Sequence, residues 1–534
     1  MFNVWERIIL SLVATAIACA STRKMLGAMQ QSGYKNRVFW RWLKRKDNLQ
    51  FNRLCVLALC LALASAITSL CFSFVGEKGA VACAFAIYFL LFIAYLYSDK
   101  TYALKVELKP SGRANRLFFV YLFWTACVSY ILVASLDALL VLNGSKLYAL
   151  IAFVPFAVLP ILLPFLLCFA GLTIGWLENA RNKKFVKRAG QVLDETEILR
   201  IGVVGSYGKT SVKNILKTLL EEKYTVVATP ESYNTPIGIA KTVFSPEFDK
   251  KSVFIAEMGA RKQGDISELC ALVKPDYALF TGVCKQHVET FGSEENVWKE
   301  KSEILRSPVK KAVCGAGLKG YVEGENFDTS KVVVLNENVV ESAEFSATHT
   351  RFALKLDGKE IQGETALLGV SAVENIALAS ALALALGLSV EEIERGIQKL
   401  QPIPHRLQLL QANGVFILDD GYNANPKGAK EAISALQRFS GRKCIVTPGI
   451  VECGVLEEEI NAELGENIAN ASIDKVILVG ETLVTAVKDG YLKAGGDKSA
   501  LETVKTLGLA QESLKWWLKD GDAVLFLNDL PDVY

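Results

Sequence analysis

GVVGSYGKTSVKNIL occupies residues 202–216 and joins a short apolar run to a helix-like stretch through a glycine turn. A glycine turn between a strand and a helix lets backbone N–H groups face a phosphate at the positive end of the helix. Lys209 adds a mobile positive charge, and the hydroxyl of Thr210 is suited to Mg²⁺. Because G-x-x-G-K-T also occurs by chance, the turn alone leaves a nucleotide site and an ordinary strand-turn-helix corner both open.

The residues around this turn alternate between strand-like and helix-like segments. Buried strands are predicted at ILRIGVVG, KYTVVATP, SVFIAEMG and DYALFTGV, and an apolar helix at 372–387 is predicted to lie inside a globular domain. A second alternating unit begins after the two prolines of PIPHR (402–406). The sequence therefore predicts a doubly wound α/β domain at 199–403 and a second, Rossmann-like α/β domain at 404–534.

Composition limits the remaining possibilities. A chain of 534 residues is too long for one core, so two or three domains are expected. The net charge of +3 is too close to balance to indicate a nucleic-acid partner. The 12 cysteines contain no C-x-x-C pair, which disfavours a zinc ribbon or a disulfide scaffold and favours a reducing compartment.

Apolar residues are concentrated before residue 178. Five stretches are candidates for membrane crossing, because most reach the ~20 residues that a bilayer requires. They lie at 5–21, 54–75, 80–98, 117–141 and 147–177. Basic residues cluster in alternate connecting segments, which by the positive-inside rule places those segments in the cytoplasm.

These features predict a transmembrane region of about five helices at 1–178 and a basic linker at 179–198. The expected protein is a multi-pass inner-membrane protein, with membrane lipid as a partner and residues 178–534 in the cytoplasm. No predicted span holds a mid-membrane Asp or Glu except Asp137, near the end of the fourth, so an anchor is favoured over a transporter. A membrane transport or signalling protein driven by the phosphate loop remains an alternative.

Three further positions in the first α/β domain carry groups that bind metals or phosphates. Glu257, in FIAEMGA, lies at the carboxyl end of a predicted strand, where ligands gather in open parallel sheets. His287 follows another strand end, in TGVCKQHVETFGS, although a lone histidine is usually structural. Lys301 falls in KEKSEIL on a helix predicted to be exposed, a pattern typical of a solvated face.

Two further groups lie at and after the junction between the domains. Arg406 ends PIPHR at the predicted hinge, and LDDGYNANPKG (418–428) places Asp420, Tyr422 and Asn423 between a strand and a helix. Clusters of asparagine and proline are normally turn chemistry. Two adjacent aspartates at a strand end are less routine.

The order and spacing of these motifs resemble the Mur ligases of bacterial cell-wall synthesis. GSYGKTS, EMGA, HVETFGS, KSEIL, GVSAVEN, PHR and DDGYNANP follow one another as in that family. DDGYNANP is typical of the MurF-type branch, which adds D-alanyl-D-alanine. The resemblance covers roughly residues 199–534 and implies a phosphate-loop central domain followed by a C-terminal ligase domain.

The resemblance implies a role for each matching residue. ATP would be held by the loop residues, by Asn375 and by residues of the C-terminal domain. The full set of ATP-binding positions is Gly205, Ser206, Gly208, Lys209, Thr210, Ser211, Asn375, Arg406, Asp420, Tyr422 and Asn423. Mg²⁺ would be held by Thr210, Glu257, His287 and Lys301, the last as a carbamylated lysine. The catalytic residues would be Lys209, His287, Lys301 and Arg406.

The implied activity is ATP-dependent amide-bond formation through an acyl phosphate. The acid would be a muramyl-peptide precursor, soluble or lipid-linked, and the amine an amino acid or a dipeptide such as D-Ala-D-Ala. A membrane-bound ligase for another carboxylate acceptor and a degenerate ligase acting as a scaffold are the alternatives. The chain departs from the family at Val204, Thr235 and Ser371, which replace a usual threonine, asparagine and histidine. It also lacks a recognisable uridine-nucleotide domain and the usual basic C-terminal ending.

Overall fold

The structure is a computed structural model. It describes residues 3–528 except for several short segments. The exceptions are residues 21, 45–47, 49, 71–82, 84–85, 88, 98–107, 109–110, 143–145, 232, 285–290, 326, 329, 423, 452, 454–455 and 481–482. The chain divides into two compact units, Met1–Arg181 and Asn182–Asp529.

The first unit is helical. Its helices are α1 (Val4–Ala20), α2 (Arg23–Gln31), α3 (Asn36–Leu43), α4 (Gln50–Leu70), α5 (Gly112–Leu142) and α6 (Lys146–Glu195), of which α6 continues beyond residue 181. Phe39, Leu117 and Tyr121 are buried in its apolar core. The carboxylate of Glu178 on α6 pairs with Arg113 and Arg116 of α5, each at an N–O distance of 2.7 Å.

The prediction of a five-span inner-membrane protein is wrong. Among the residues that the structure describes, only two helical segments are long and apolar enough to cross a membrane, Gly112–Ser135 and Ala157–Glu195. The most apolar windows of these two segments are 28% and 50% buried inside the protein, respectively. The predicted spans at 5–21 and 54–75 fall on α1 and α4, whose described parts are too short to qualify. The predicted span at 80–98 lies partly outside the described residues.

The second unit contains two six-stranded sheets and one small sheet. The strands of the first, central sheet are β1 (Leu199–Val204), β2 (Val226–Ala228), β3 (Val253–Glu257), β4 (Tyr277–Phe280), β5 (Lys311–Cys314) and β6 (Val332–Val334). They are parallel and are ordered β2-β3-β1-β4-β5-β6. The predicted doubly wound α/β fold is confirmed.

Helices cover both faces of the central sheet. They are α7 (Lys209–Leu220), α8 (Pro236–Val243), α9 (Asp265–Val273), α10 (Glu294–Lys301), α11 (Glu303–Arg306), α12 (Lys319–Glu323), α13 (Val370–Ala385) and α14 (Val390–Gln398). Side chains alternate across β1, so Ile201 and Val203 join the core beneath α7 and α13, while Val204 joins the core on the opposite face. α13 is buried in the first of these cores, as predicted for the apolar helix at 372–387.

A three-stranded antiparallel sheet packs beside α14, and the sequence analysis did not predict it. Its strands are β7 (Val340–Phe345), β8 (Thr350–Leu356) and β9 (Lys359–Thr365). Phe352, Leu354 and Ile361 join the core shared with α7 and α13. This sheet therefore extends one face of the central domain without contributing a site residue.

The third sheet lies in the C-terminal part of the unit. Its strands are β10 (Gln408–Ala412), β11 (Val415–Asp420), β12 (Lys443–Thr447), β13 (Lys475–Val479), β14 (Leu501–Val504) and β15 (Ala523–Leu527). The order is β10-β11-β15-β12-β13-β14, and only β10 is antiparallel to its neighbour among the described strands. The helices are α15 (Pro426–Leu436), α16 (Glu457–Asn470), α17 (Val484–Lys493) and α18 (Leu507–Trp517).

Candidate nucleotide and ligase site

The phosphate loop connects the end of β1 to the start of α7. The ammonium of Lys209 turns back and donates to the carbonyl of Gly205 at 2.8 Å. Gly208 has φ 72°, and a Cβ at this position would lie 2.8 Å from the amide oxygen of Asn375. A residue other than glycine would therefore be strained there, and the side chain of Asn375 on α13 lies against the loop.

One polar atom of the loop has no partner in the described part of the chain. The side chain of Ser206 is buried, and its hydroxyl makes no hydrogen bond there. A buried hydroxyl without a partner is costly, and a loop that binds an anion often leaves such a group free for it. The loop therefore fits a phosphate oxygen at Ser206. Ser211 follows on α7 and is partly buried.

Glu257 lies at the carboxyl end of β3, in register with Val203 of the neighbouring β1. Its carboxylate is buried and accepts from Thr210 Oγ1 at 2.9 Å. Asn234 Nδ2 donates to the other carboxylate oxygen at 3.3 Å. The parallel strands thus bring Thr210 and Glu257 together beside the phosphate loop, as the sequence predicted.

The sequence analysis missed Lys213, which lies one helical turn after Lys209. Its ammonium is 3.2 Å from Glu257 Oε2, and both side chains are almost fully buried. It also donates to the carbonyl of Glu231 at 2.5 Å. Removing one partner of such a buried pair typically costs about 3–5 kcal/mol. A lysine at an apolar position of an amphipathic helix, between Val212 and Ile215, was the available signal.

Lys301 does not lie on an exposed helix, so that part of the prediction is wrong. Its side chain is fully buried, and α10 also buries Trp298, whose ring stacks on Phe280. The preceding residue, Glu300, accepts from the backbone N–H groups of Gly264 and Ile266, each at 2.7 Å. These contacts fix the end of α10.

The electrostatic surroundings of Lys301 favour a neutral amine. Burial, the larger cause, and the nearby positive charge of Lys209 together lower its pKa to about 7. Burial also lowers the pKa of Lys209, whereas the carboxylate of Glu257 opposes this change. The two lysines therefore belong to one electrostatic cluster with Glu257, which the linear sequence did not reveal.

Arg406 extends from the hinge toward the same cluster. Its charge acts on both Lys209 and Lys213 and lowers the pKa of each, although burial is the larger cause in both cases. Arg406 Nη1 donates to the carbonyl of Tyr422 at 3.1 Å, and its guanidinium lies 4.5 Å from the centre of the Tyr422 ring. The C-terminal domain therefore brings a cation and an aromatic ring to the site.

Asp420 ends β11 close to Arg406. Burial raises its pKa to about 6, against the opposing effects of a hydrogen bond from the backbone N–H of Leu407 and the charge of Arg406. The Leu407 N–H donates to Asp420 Oδ1 at 3.0 Å. Leu407 and His405 both have positive φ values, 47° and 60°. The hinge is therefore held in an uncommon backbone conformation by a carboxylate at the site.

Two side chains of α15 contact the start of α13, and the sequence analysis did not predict either contact. Ser371 Oγ donates to Glu431 Oε1 at 2.6 Å, and the Ser371 N–H donates to the other oxygen at 3.2 Å. Lys427 pairs with Glu374 at 2.7 Å and lies 5.3 Å from the centre of the Tyr207 ring in the phosphate loop. These contacts link the C-terminal domain to the central one.

Two predicted site residues, His287 and Asn423, lie outside the described residues. In the described part of the chain, no three His, Cys, Asp or Glu side chains form a metal-binding group. Mg²⁺ in nucleotide sites usually needs only one or two carboxylates together with substrate phosphates and water. The hydroxyl of Thr210 and the carboxylate of Glu257, beside the unpartnered Ser206, fit that requirement.

Comparisons with known proteins agree with this geometry. The profile of the Mur ligase middle domain matches residues 203–383. The profile of the Mur ligase glutamate ligase domain matches residues 405–528. The matched segments contain the phosphate loop and the hinge cluster, respectively.

Two bacterial relatives, both UDP-N-acetylmuramoyl-tripeptide–D-alanyl-D-alanine ligases, match along the same part of the chain. The relative from Escherichia coli is 28% identical over 343 residues, which cover 62% of this chain and 75% of the relative. The relative from Bacillus subtilis is 29% identical over 343 residues, which cover 61% of this chain and 72% of the relative.

Solved structures show the same fold. The MurF ligase of Thermotoga maritima in complex with ADP matches with a TM-score of 0.57 and 25% identity, over 65% of this chain and 80% of that structure. A MurF structure from Acinetobacter baumannii matches with a TM-score of 0.58 and 22% identity, over 65% of this chain and 77% of that structure. With a phosphate loop, a hinge cluster, both domain profiles and this fold, the chain belongs to the Mur ligase family.

Proposed function

We propose that this protein is an ATP-dependent amide ligase of the MurF type. It would join D-alanyl-D-alanine to a UDP-linked muramyl tripeptide in peptidoglycan synthesis. The observation that carries the proposal is that cations from two domains, Lys209 and Arg406, act on one phosphate loop beside Glu257. The relatives named above carry this activity in their names, and one related structure holds ADP.

The central ligase domain would span residues 199–403, and the C-terminal ligase domain would span residues 404–534. Gly205, Ser206, Gly208, Lys209 and Ser211 would hold the phosphates of ATP. The remaining nucleotide contacts would come from Asn375, Arg406, Asp420, Tyr422 and Asn423.

The reaction requires two steps on the substrates. The acceptor carboxylate attacks the γ-phosphate of ATP and forms an acyl phosphate with loss of ADP. The amine then attacks the acyl carbon, and phosphate leaves as the amide forms. Lys209 and Arg406 would offset the negative charge that develops on the phosphate oxygens in the first step. Closure of the C-terminal domain would exclude water, because an acyl phosphate hydrolyses readily.

Thr210, Glu257, His287 and Lys301 would hold magnesium, which when bound neutralises charge on the phosphate oxygens. Lys301 would serve as a carbamate. Its neutral amine attacks CO₂, an N–C bond forms, and one proton is released, which leaves an anionic group. Burial supports this role, because a lysine with a pKa of about 7 is substantially uncharged at neutral pH.

The sequence left open whether the muramyl-peptide acceptor is linked to UDP or to a lipid. The names of the relatives specify a UDP-linked tripeptide, and nothing in the comparisons supports a lipid-linked acceptor or membrane lipid as a partner. We therefore favour the soluble, UDP-linked acceptor.

The alternative of a transport protein driven by the phosphate loop is not favoured, because it would give no role to Arg406 and Asp420.

The test is a product assay with the purified full-length chain. It would be incubated with ATP, Mg²⁺, D-Ala-D-Ala and UDP-linked muramyl tripeptide, and the products would be analysed by mass spectrometry and phosphate release. We expect one phosphate for each amide formed, and no amide when the dipeptide is omitted. Phosphate release that is independent of both substrates, without amide product, would contradict the proposal.

A further inference from the structure

Lys213 is a buried cation to which the proposed reaction assigns no role. It lies on α7, and its side chain is 1% exposed. Burying an ammonium group is costly unless it is paired and hydrogen-bonded. Lys213 meets that condition with two groups, the carbonyl of Glu231 and the carboxylate of Glu257.

The two carboxylate oxygens of Glu257 accept hydrogen bonds from different donors. Oε1 accepts from Asn234, whereas Oε2 accepts from both Thr210 and Lys213. In the proposed site, the hydroxyl oxygen of Thr210 would bind the metal through a lone pair while its hydrogen is donated to Oε2, so this hydroxyl would be shared between the metal and Glu257. The ammonium of Lys213 also donates to the Glu231 carbonyl, and as a cation it would not bind the metal.

We propose that Lys213 is a positioning residue that holds the carboxylate of Glu257 in the orientation needed to bind the divalent cation of the nucleotide complex. The inference rests on the proposed function and deepens its metal site. Groups that orient a metal ligand in this way commonly contribute about 10- to 100-fold to metal affinity. A purely structural ion pair would stabilise the fold without changing the magnesium requirement.

The experiment measures ADP binding by isothermal titration calorimetry, with and without MgCl₂, on the full-length chain. The quantity compared is the factor by which Mg²⁺ strengthens ADP binding. We expect Lys213→Met to reduce this factor by about 10- to 100-fold and to leave metal-free ADP affinity nearly unchanged. Lys217→Met is the matched control, because Lys217 lies one turn later on α7 and is 42% exposed. The control should behave as the wild-type chain does.

A double-mutant cycle tests whether Lys213 acts through Glu257. In a Glu257→Gln background, adding Lys213→Met should not reduce the Mg²⁺ factor further. Equal reductions in both backgrounds would overturn the inference, as would a folded Lys213→Met variant with the wild-type factor.

Failure to fold and the behaviour of the wild-type chain also decide the test. If Lys213→Met does not fold, Lys213→Gln, which retains a hydrogen-bond donor without the charge, takes its place and should show the same loss. If neither variant folds while Lys217→Met does, the pair serves the fold and the inference is overturned. If Mg²⁺ does not strengthen ADP binding to the wild-type chain, both this inference and the magnesium part of the proposed function are overturned. If Mg²⁺ strengthens ADP binding equally in the wild-type chain and in Lys213→Met, the inference alone is overturned.

Discussion

The two six-stranded sheets of the second unit place their site residues in different environments. In the central domain, Glu257, Lys213 and Lys301 are almost fully buried, and Glu257 is held by several hydrogen bonds. In the C-terminal domain, Tyr422 is 45% exposed, and Arg406 and Asp420 are only partly buried. The central domain is therefore built as a fixed site, whereas the C-terminal domain contributes groups from a surface.

This difference indicates that the two domains contribute differently to catalysis. Buried groups cannot rearrange without losing their partners, so the central domain can preorganise charge for phosphate chemistry. Partly exposed groups at a hinge have fewer contacts to break when they approach and withdraw. Changes in the central sheet should therefore reduce catalysis itself, whereas changes in the C-terminal sheet should reduce closure and alter stability.

Lys209→Ala should have the largest effect, because it removes the mobile cation of the phosphate loop. We expect kcat to fall by about 10²- to 10³-fold, as for loss of other preorganised groups that stabilise developing anionic charge. Steady-state phosphate release would measure kcat, and circular dichroism would show whether the variant is folded. A folded variant with near-normal kcat would contradict the assignment of this loop.

Lys301→Ala should reduce activity by about 10- to 100-fold, since it removes the proposed carbamate from the metal site. A small carboxylate such as acetate should partly restore kcat, because it supplies an anionic group to the emptied space. Lys299→Ala, on the same helix and exposed, is the control and should be unaffected. Rescue by chloride to the same extent as by acetate would argue against the carbamate.

Arg406→Lys should have a smaller effect, because a positive charge remains while the planar fork of donors is lost. The loss of a charge-assisted hydrogen bond worth about 1.5 kcal/mol corresponds to about a tenfold reduction in kcat/KM. We expect metal-free ADP affinity to change less than kcat/KM, because Arg406 would act when the domains close. A reduction in ADP affinity alone would contradict a role in closure.

Asp420→Asn should stabilise the protein by about 1–2 kcal/mol at pH 8 after allowance for partial solvent access, while it lowers activity. The folded pKa of Asp420 is about 6, above the ordinary value of 3.8, so the folded chain binds this proton more tightly than the unfolded chain does. The penalty of the charged form is therefore present above pH 6 and fades as the pH falls toward 4.

Thermal unfolding of wild-type and Asp420→Asn chains at pH 8 and pH 5 would measure this effect. The difference in melting temperature should be larger at pH 8 than at pH 5. Asp419→Asn serves as the neighbouring control at the same pH values. An equal difference for Asp420→Asn at both pH values would show that its carboxyl group is not perturbed in the folded chain.

Much of the fold could be predicted from the sequence, and part of the site could be predicted too. Strand periodicity and the glycine turn were local signals, so β1, α7 and the position of Glu257 at a strand end followed from them. The environment of Lys301 could not be predicted in this way, because Glu300 and Trp298 bury α10 through contacts with distant segments. Charge density in KEKSEIL indicated a solvated face, and tertiary packing overrode it.

The N-terminal prediction failed for a related reason. Apolar composition indicates membrane spans, but a helix packed inside a protein core has the same composition. In the segment Ala157–Glu195, for example, half of the most apolar window is buried inside the protein. The contacts between Ser371 and Glu431 could not be predicted from the sequence either, because they join segments 60 residues apart.

The Ser371–Glu431 contact has a practical consequence for chemical probes. The resemblance to Mur ligases implies that this position, at the start of α13, faces the nucleotide and usually carries a histidine. Here an adenine mimic would meet a hydroxyl group whose hydrogen is already donated to a carboxylate from α15. A compound with a basic nitrogen directed at Glu431 should therefore gain affinity for this enzyme over relatives that retain the imidazole, which makes the position a starting point for selective inhibitors.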